Sequence, residues 1–257
     1  MTGLMKPPSS DVPAFMLTPE NAEVNKMLNE YVSPPRLKII QPTAKAPLSE
    51  MFGIGDVCLM PTMTPLAKKG VKFSFVPVFF FPEFLACNPM GAETFIRDRS
   101  FDRASPIAKK AQDPSKRSEP WDKDPSKSVT YQEVLSFLIV IVGHEELMGT
   151  ACAVGFARSE YKTGQQLASM IKMRGVPMFG TVWDAQTKTR NNASGTWQGL
   201  EITPSQEDSG YITDQAVFEQ LKEQHRLFKE AYDNRTISVN YDDSDVEKPA
   251  AGDSKEF

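Results

Sequence analysis

The sequence predicts a β-rich α+β protein: one main body, flanking helices and a disordered acidic tail. Three observations carry that expectation. Runs of β-branched and aromatic residues, strongest over residues 71–81 (VKFSFVPVFFF) and 129–142, read as strands. Twenty prolines against fifteen glycines in 257 residues favour many loops and few long helices. Charge is also unevenly placed. The net charge of −4 is matched by residues 242–257 alone, with six acids against two lysines, whereas residues 66–190 carry 18 basic against 13 acidic groups, a net of +5. A basic middle and an acidic end suggest a nucleic-acid-binding face with a separate tail.

Taken in order, residues 1–34 form an N-terminal arm with a short helix over residues 19–32. Pro19 suits its first turn, and Val24, Met27, Leu28 and Val32 make a helical stripe. The main body is expected over residues 35–212. Strands are predicted at residues 36–41, 55–60 and 71–81, and Pro77 marks an edge position or a bulge. Residues 88–128 are polar, with nine basic and six acidic groups between Arg97 and Lys127, and read as a long functional insertion or lid. Strands return at 129–142 and 150–158. A helix over 159–172 turns Leu167, Met170 and Ile171 inward. Residues 177–187 and 195–203 read as a hairpin with a basic connection. A helix over 213–232, capped by Thr213, places Val217, Phe218, Leu221, Leu227 and Phe228 mostly on one face. Residues 235–257 lack apolar anchors and are expected to be disordered.

Several classes of function find no support. No run approaches the 18 apolar residues of a membrane span, and residues 1–11 lack a secretory h-region, so a cytoplasmic protein is expected. Cys58, Cys87 and Cys152 are far apart with no CxxC, which fits buried free thiols in a reducing compartment. No GxxxxGK[ST] or GxGxxG loop is present, and His144-Glu145-Glu146 lacks the second histidine of HExxH. His144 reads as a solvated loop residue and His225 as helix surface. No catalytic residue, metal site or cofactor is assigned, and the protein is expected not to be an enzyme.

Aromatic residues interleaved with basic ones point to single-stranded DNA. A positive groove neutralises phosphates, and aromatic faces stack exposed bases. The first candidate group is Lys68, Lys69, Lys72, Phe73 and Phe75. The second is Arg97, Arg99, Arg103, Lys109, Lys110, Arg117 and Trp121 in the insertion, where Phe101 and Lys116 also fall. The third is Arg158, Tyr161, Lys162, Lys172, Arg174, Trp183, Lys188, Arg190 and Trp197. For any one aromatic, core packing is the commoner explanation, and it applies most strongly to the run at residues 78–81. Trp121, among polar and proline neighbours, fits it least.

The tail adds a second signal: Asp242, Asp243, Asp245, Asp253 and Glu256 lead to a terminal Phe257. These six residues are the candidate partner-binding set. Together with the segments PRLKIIQ (35–41), GDV (55–57), FVPVFFF (75–81) and RSEYKTGQQL (158–167), the tail resembles phage-encoded single-stranded-DNA-binding proteins. The resemblance implies an OB-fold-like small β-barrel interrupted by the 88–128 insertion. It also implies sequence-independent binding and protection of single-stranded DNA in replication or recombination. The tail would recruit replication or recombination proteins, and copies of the chain would self-associate on DNA. A strand-annealing mediator and a virion or assembly protein share the composition and stand as the alternatives.

Overall fold

The structure, a computed structural model, describes residues 33–89, 91–192, 195–237, 239 and 241. The expected arm and first helix at residues 1–32, and the acidic residues 242–257, lie outside this range. Ten strands form one mixed sheet: β1 (Arg36–Ile39), β2 (Val57–Met60), β3 (Thr64–Ala67), β4 (Phe73–Cys87), β5 (Ile96–Ser100), β6 (Ser118–Trp121), β7 (Asp124–Val142), β8 (Ala151–Phe156), β9 (Trp183–Asn192) and β10 (Gly195–Pro204). Among the described residues four α-helices accompany them: α1 (Leu48–Met51), α2 (Pro106–Gln112), α3 (Tyr161–Met173) and α4 (Gln215–Asp233). The strand order is β10-β9-β4-β7-β8-β1-β2-β3, with β5 added to β4 and β6 added to β7. No ladder joins β3 to β10, so no barrel is closed among the described residues. The two sides of the sheet nevertheless meet: the Gln41 side chain donates to the Gln198 carbonyl and accepts from its N–H, each at 2.9 Å.

The long pair β4–β7 organises everything else. Ser74 faces Val142 at one end and Cys87 faces Thr130 at the other. Strand side chains alternate between faces, so each face draws on every second residue. Leu135, Phe137, Ile139 and Ile141 join Phe73, Phe75, Phe156, Trp183 and Leu200 in the inner core, which α3 caps through Leu167 and Ile171. Val76, Val78, Val140 and Val142 cover the outer face, against Val217 and Leu221 of α4. The alternation slips once, where the register shifts between Pro77 and Phe79. Beyond that bulge Phe79 and Phe81 point outward with Leu138, and Phe84 and Ala86 point inward. Pro77 is therefore at a bulge, one of the two placements its missing N–H allows. β4 is an interior strand, though its second edge is unpaired between Phe75, where β9 ends, and Phe84, where β5 begins.

The bulge carbonyl is not left bare. His225 Nδ1 lies 2.7 Å from the Val78 oxygen, and its ring packs on Phe79 and Phe179 at centroid distances of 5.6 and 5.3 Å. The expectation that His225 is helix surface is thus corrected: it ties α4 to β4, and the ring nitrogen facing the carbonyl carries the proton. His225→Ala is expected to lower the unfolding free energy by about 1–3 kcal/mol by leaving that carbonyl unpartnered. A urea titration of both proteins checks this.

Other boundaries follow local chemistry. The cap of α4 is Asp214, not Thr213, because its carboxylate accepts from the N–H groups of Ala216 and Val217. Ser105 caps α2, with Pro106 in the first turn. Residues 88–128 are not an unstructured lid: they build β5, α2, β6 and the start of β7. Cys58, Cys87 and Cys152 are buried and form no disulfide, as expected, and burial raises the Cys152 thiol to about 12. No helix among the described residues is long and apolar enough to cross a membrane.

Three residues break the apolar pattern of the strands, and one contact explains all three. Glu83 interrupts FFFPEFL, Ser136 interrupts VLSFLIV and Gly155 interrupts CAVGF. Tyr241 donates its phenol to Glu83 at 2.5 Å and lies 2.9 Å from the Ser136 hydroxyl. A Cβ on Gly155 would sit 2.8 Å from that phenolic oxygen, so glycine is present for space. Arg99 Nε lies 3.4 Å from Glu83, and another Arg99 nitrogen donates to the Val239 carbonyl. The guanidiniums of Arg36 and Arg99 lie 5.7 and 6.0 Å from the Tyr241 ring centre. Ile237 and Val239 fill the outer core beside Phe79, Phe81 and Leu138. Ile237, Val239 and Tyr241 therefore act as a strap across the sheet, where a disordered tail from residue 235 was expected.

Candidate nucleic-acid interface

β7 is longer than either strand on its second edge. β6 pairs with it up to Thr130, and β8 begins to pair at Leu135. Between them the edge of β7 is unpaired, apart from the Tyr131 N–H, which donates to the Arg117 carbonyl at 2.8 Å. This gap is a notch in the sheet. It opens into a cleft of about 560 Å3 lined by Arg117, Tyr131, Gln132, Glu133, Arg158 and Tyr161, among others.

Each wall has a local cause. Arg117 enters β6 after the turn from α2, and its Nε donates to the Ala111 carbonyl at 2.8 Å. Arg158 follows the end of β8 with a left-handed backbone, φ 49°. That conformation costs a non-glycine residue about 1 kcal/mol or more and persists where surrounding contacts impose it. Here Arg158 Nε donates to Gln132 Oε1 at 2.7 Å, and a terminal nitrogen donates to the Thr130 hydroxyl at 3.2 Å. Tyr161 opens α3, which rides close on β8: a Cβ on Gly164 would sit 2.7 Å from the Phe156 Cβ. Burial and then a hydrogen bond to Glu133 hold the Tyr161 hydroxyl above the ordinary tyrosine range. Glu133 also takes Arg103, at 3.3 Å.

The notch continues on both sides. Toward β10, Glu160 accepts from the Trp197 indole at 2.9 Å and the Leu200 N–H at 3.2 Å, and pairs with Arg190 at 3.4 Å. Gly199 leaves the space for that carboxylate, since a Cβ there would fall 2.3 Å from Glu160 Oε1. Toward the tip of the β6–β7 hairpin, Tyr131 bonds to Glu119, which pairs with Lys110 at 2.5 Å. That Lys110 bond lowers the Glu119 carboxyl below its usual range. At the tip, half-buried Trp121 has Lys123 and Lys127 5.9 and 6.0 Å from its ring centre, and Arg97 pairs with Asp122 beside it. Trp197, Arg190, Arg158, Tyr161, Arg103, Arg117, Lys110 and Trp121 therefore belong to one belt, and Lys109 and Lys162 are exposed on the helices beside it.

Other predicted residues lie elsewhere. Phe73, Phe75 and Trp183 are buried in the inner core, so the expectation that they stack on bases is corrected. Arg99 is committed to Glu83 and the strap. Arg174 lies over the Trp183 and Tyr211 rings and donates to the Ser209 carbonyl. Lys68, Lys69 and Lys72 sit in the β3–β4 turn, where Lys68 pairs with Asp56 and the Gly70 N–H reaches Thr187. Lys188 pairs with Glu201, and Lys172 is exposed in the last turn of α3. The missed residues are Thr130, Tyr131, Gln132, Glu133 and Glu160. The signal for most of them was present: TYQE closes the polar first half of β7, directly before the apolar run VLSFLIVIV.

Fold and site define a class: a curled, β-rich sheet presenting an arginine- and tyrosine-lined cleft where two strands stop short on a third. The chain belongs to the Pam3 phage gp34-like protein family, whose model matches residues 9–232. The phage origin expected from the sequence is thereby met. No curated protein and no solved structure matches the chain.

Proposed function

We propose that this phage protein binds single-stranded DNA without sequence preference and protects it in the host cytoplasm during replication or recombination. The continuity of the belt supports this most directly: cations and aromatic rings are interspersed across the notch from Trp197 to Trp121. In a duplex, bases are stacked away from such rings, whereas a single strand offers both bases and phosphates. The OB-like character of the sheet belongs to the same proposal, with Gln41 and Gln198 drawing its two sides together around the inner core. The acidic residues from Asp242 to Phe257 are assigned to partner recruitment.

Titrating a labelled oligo-dT by fluorescence anisotropy at several salt concentrations, with matched duplex as control, tests the proposal. Tight binding to the single strand is expected, falling with log salt at a slope of about −3 if roughly four phosphates are neutralised. Deleting residues 242–257 is expected to leave affinity equal or higher. No single-strand binding at low salt, with or without those residues, discards the proposal in favour of an assembly role.

A further inference from the structure

The geometry points to the notch as a subsite that takes one nucleotide out of the bound strand, with its phosphate between Arg117 and Arg158 and its base against Tyr161. This rests on the single-strand reading and adds a specific place and ligand, a nucleoside monophosphate unit.

Charge comes first. Most cations of the belt are already matched by carboxylates: Arg190 by Glu160, Arg103 by Glu133, Lys110 by Glu119 and Arg97 by Asp122. Arg117 and Arg158 differ, since their partners are neutral: a carbonyl, an amide oxygen and a hydroxyl. Neutral acceptors fix a guanidinium without cancelling its charge. Of the five N–H donors a guanidinium carries, these bonds occupy one on Arg117 and two on Arg158, leaving donors for a phosphate. The left-handed backbone of Arg158 and its two anchors set the group in place before any ligand arrives.

Shape comes second. A cleft of about 560 Å3 lies within the range of about 300–1,000 Å3 typical of small-molecule sites. It is bounded by two rings, Tyr131 and Tyr161, and by the polar groups of Gln112, Ser118 and Glu133. The floor is strand edge where no neighbouring strand sits, so the opening is built by the sheet rather than left by a loop. A base seated on a tyrosine face would be recognised by stacking, which tolerates any base identity. The Tyr161 hydroxyl is held by Glu133, which positions the ring.

Full-length protein, oligo-dT carrying one 4-thiothymidine, and free dTMP supply the test. Irradiation is expected to crosslink the thiobase to Tyr131 or Tyr161. Tyr161→Ala is expected to weaken oligo-dT binding roughly tenfold to a hundredfold, and Tyr161→Phe less than about twofold, because the ring is kept. Ligand-observed NMR is expected to show dTMP binding, with thymidine at least about tenfold weaker, and Arg158→Gln is expected to remove that phosphate preference. Crosslinks confined to Trp121 or Trp197, with oligo-dT still bound tightly and Tyr161→Ala neutral, overturn the subsite while leaving the single-strand reading standing. Absence of oligo-dT binding by the wild type removes both.

Discussion

Glu83→Ala lowers the unfolding free energy by about 3–5 kcal/mol, the range for removing one partner of a buried charged pair. The carboxylate is fully buried and serves three groups at once: the Ser136 hydroxyl at 2.6 Å, the Tyr241 phenol and Arg99. Alanine leaves all three without it. Glu83→Gln behaves differently, because an amide oxygen still accepts from Ser136 and Tyr241. Burial raises the Glu83 carboxyl above its usual 4.5, against the pull of Arg99 and the two hydrogen bonds. A raised folded value means that the protonated form contributes stability below pH 4.5, and that this is lost as pH rises through the folded value. The wild type should therefore lose stability across that window, and Glu83→Gln should not. Urea midpoints measured from pH 4 to 8 separate the two proteins. A Glu83→Ala variant within about 0.5 kcal/mol of wild type would show that the buried network carries no net stability.

Reversing both notch arginines, Arg117→Glu with Arg158→Glu, reduces affinity for oligo-dT by about a hundredfold or more at low salt. It also makes the salt slope shallower by about 1.4, two phosphate contacts at roughly 0.7 each on a single strand. Both side chains are exposed, so the fold should survive, and circular dichroism confirms it. The matched control is Lys69→Glu with Lys72→Glu in the β3–β4 turn, which should cost far less. Equal losses from the two pairs would mean that binding follows overall charge and has no seat at the notch.

The long strands and helices were legible because their patterns are long. The 129–142 run lies within β7, the 71–81 run enters β4 at Phe73, and the helices over 159–172 and 213–232 are met by α3 and α4 to within two residues at each end. The elements of residues 88–128 were not legible, because each is short and polar and takes its order from the β4–β7 ends it packs on. The bulge at Val78 hid the face assignment: the alternation restarts out of phase after it, so Phe79 and Phe81 look inward by counting and point outward in fact. Among site residues, Arg117, Trp121, Arg158 and Tyr161 were read from charge and aromatic content alone. The notch could not be read, since it exists only because β6 and β8 end at different places along β7. Glu83, Ser136 and Gly155 each look like isolated exceptions until Tyr241 is placed among them.

The strap has a consequence for the order of events in synthesis. A ribosome releases β4 and β7 well before residues 237–241, yet Ile237, Val239 and Tyr241 complete the cover over the outer face of that strand pair. Until they emerge, Phe79, Phe81 and Leu138 lack part of their lining and Glu83 lacks a hydrogen-bond donor. The nascent sheet thus exposes an oily patch that only the last stretch of the strap can shield. Chains released short of residue 237 should be captured by chaperones or aggregate, while those released just after residue 241 should fold.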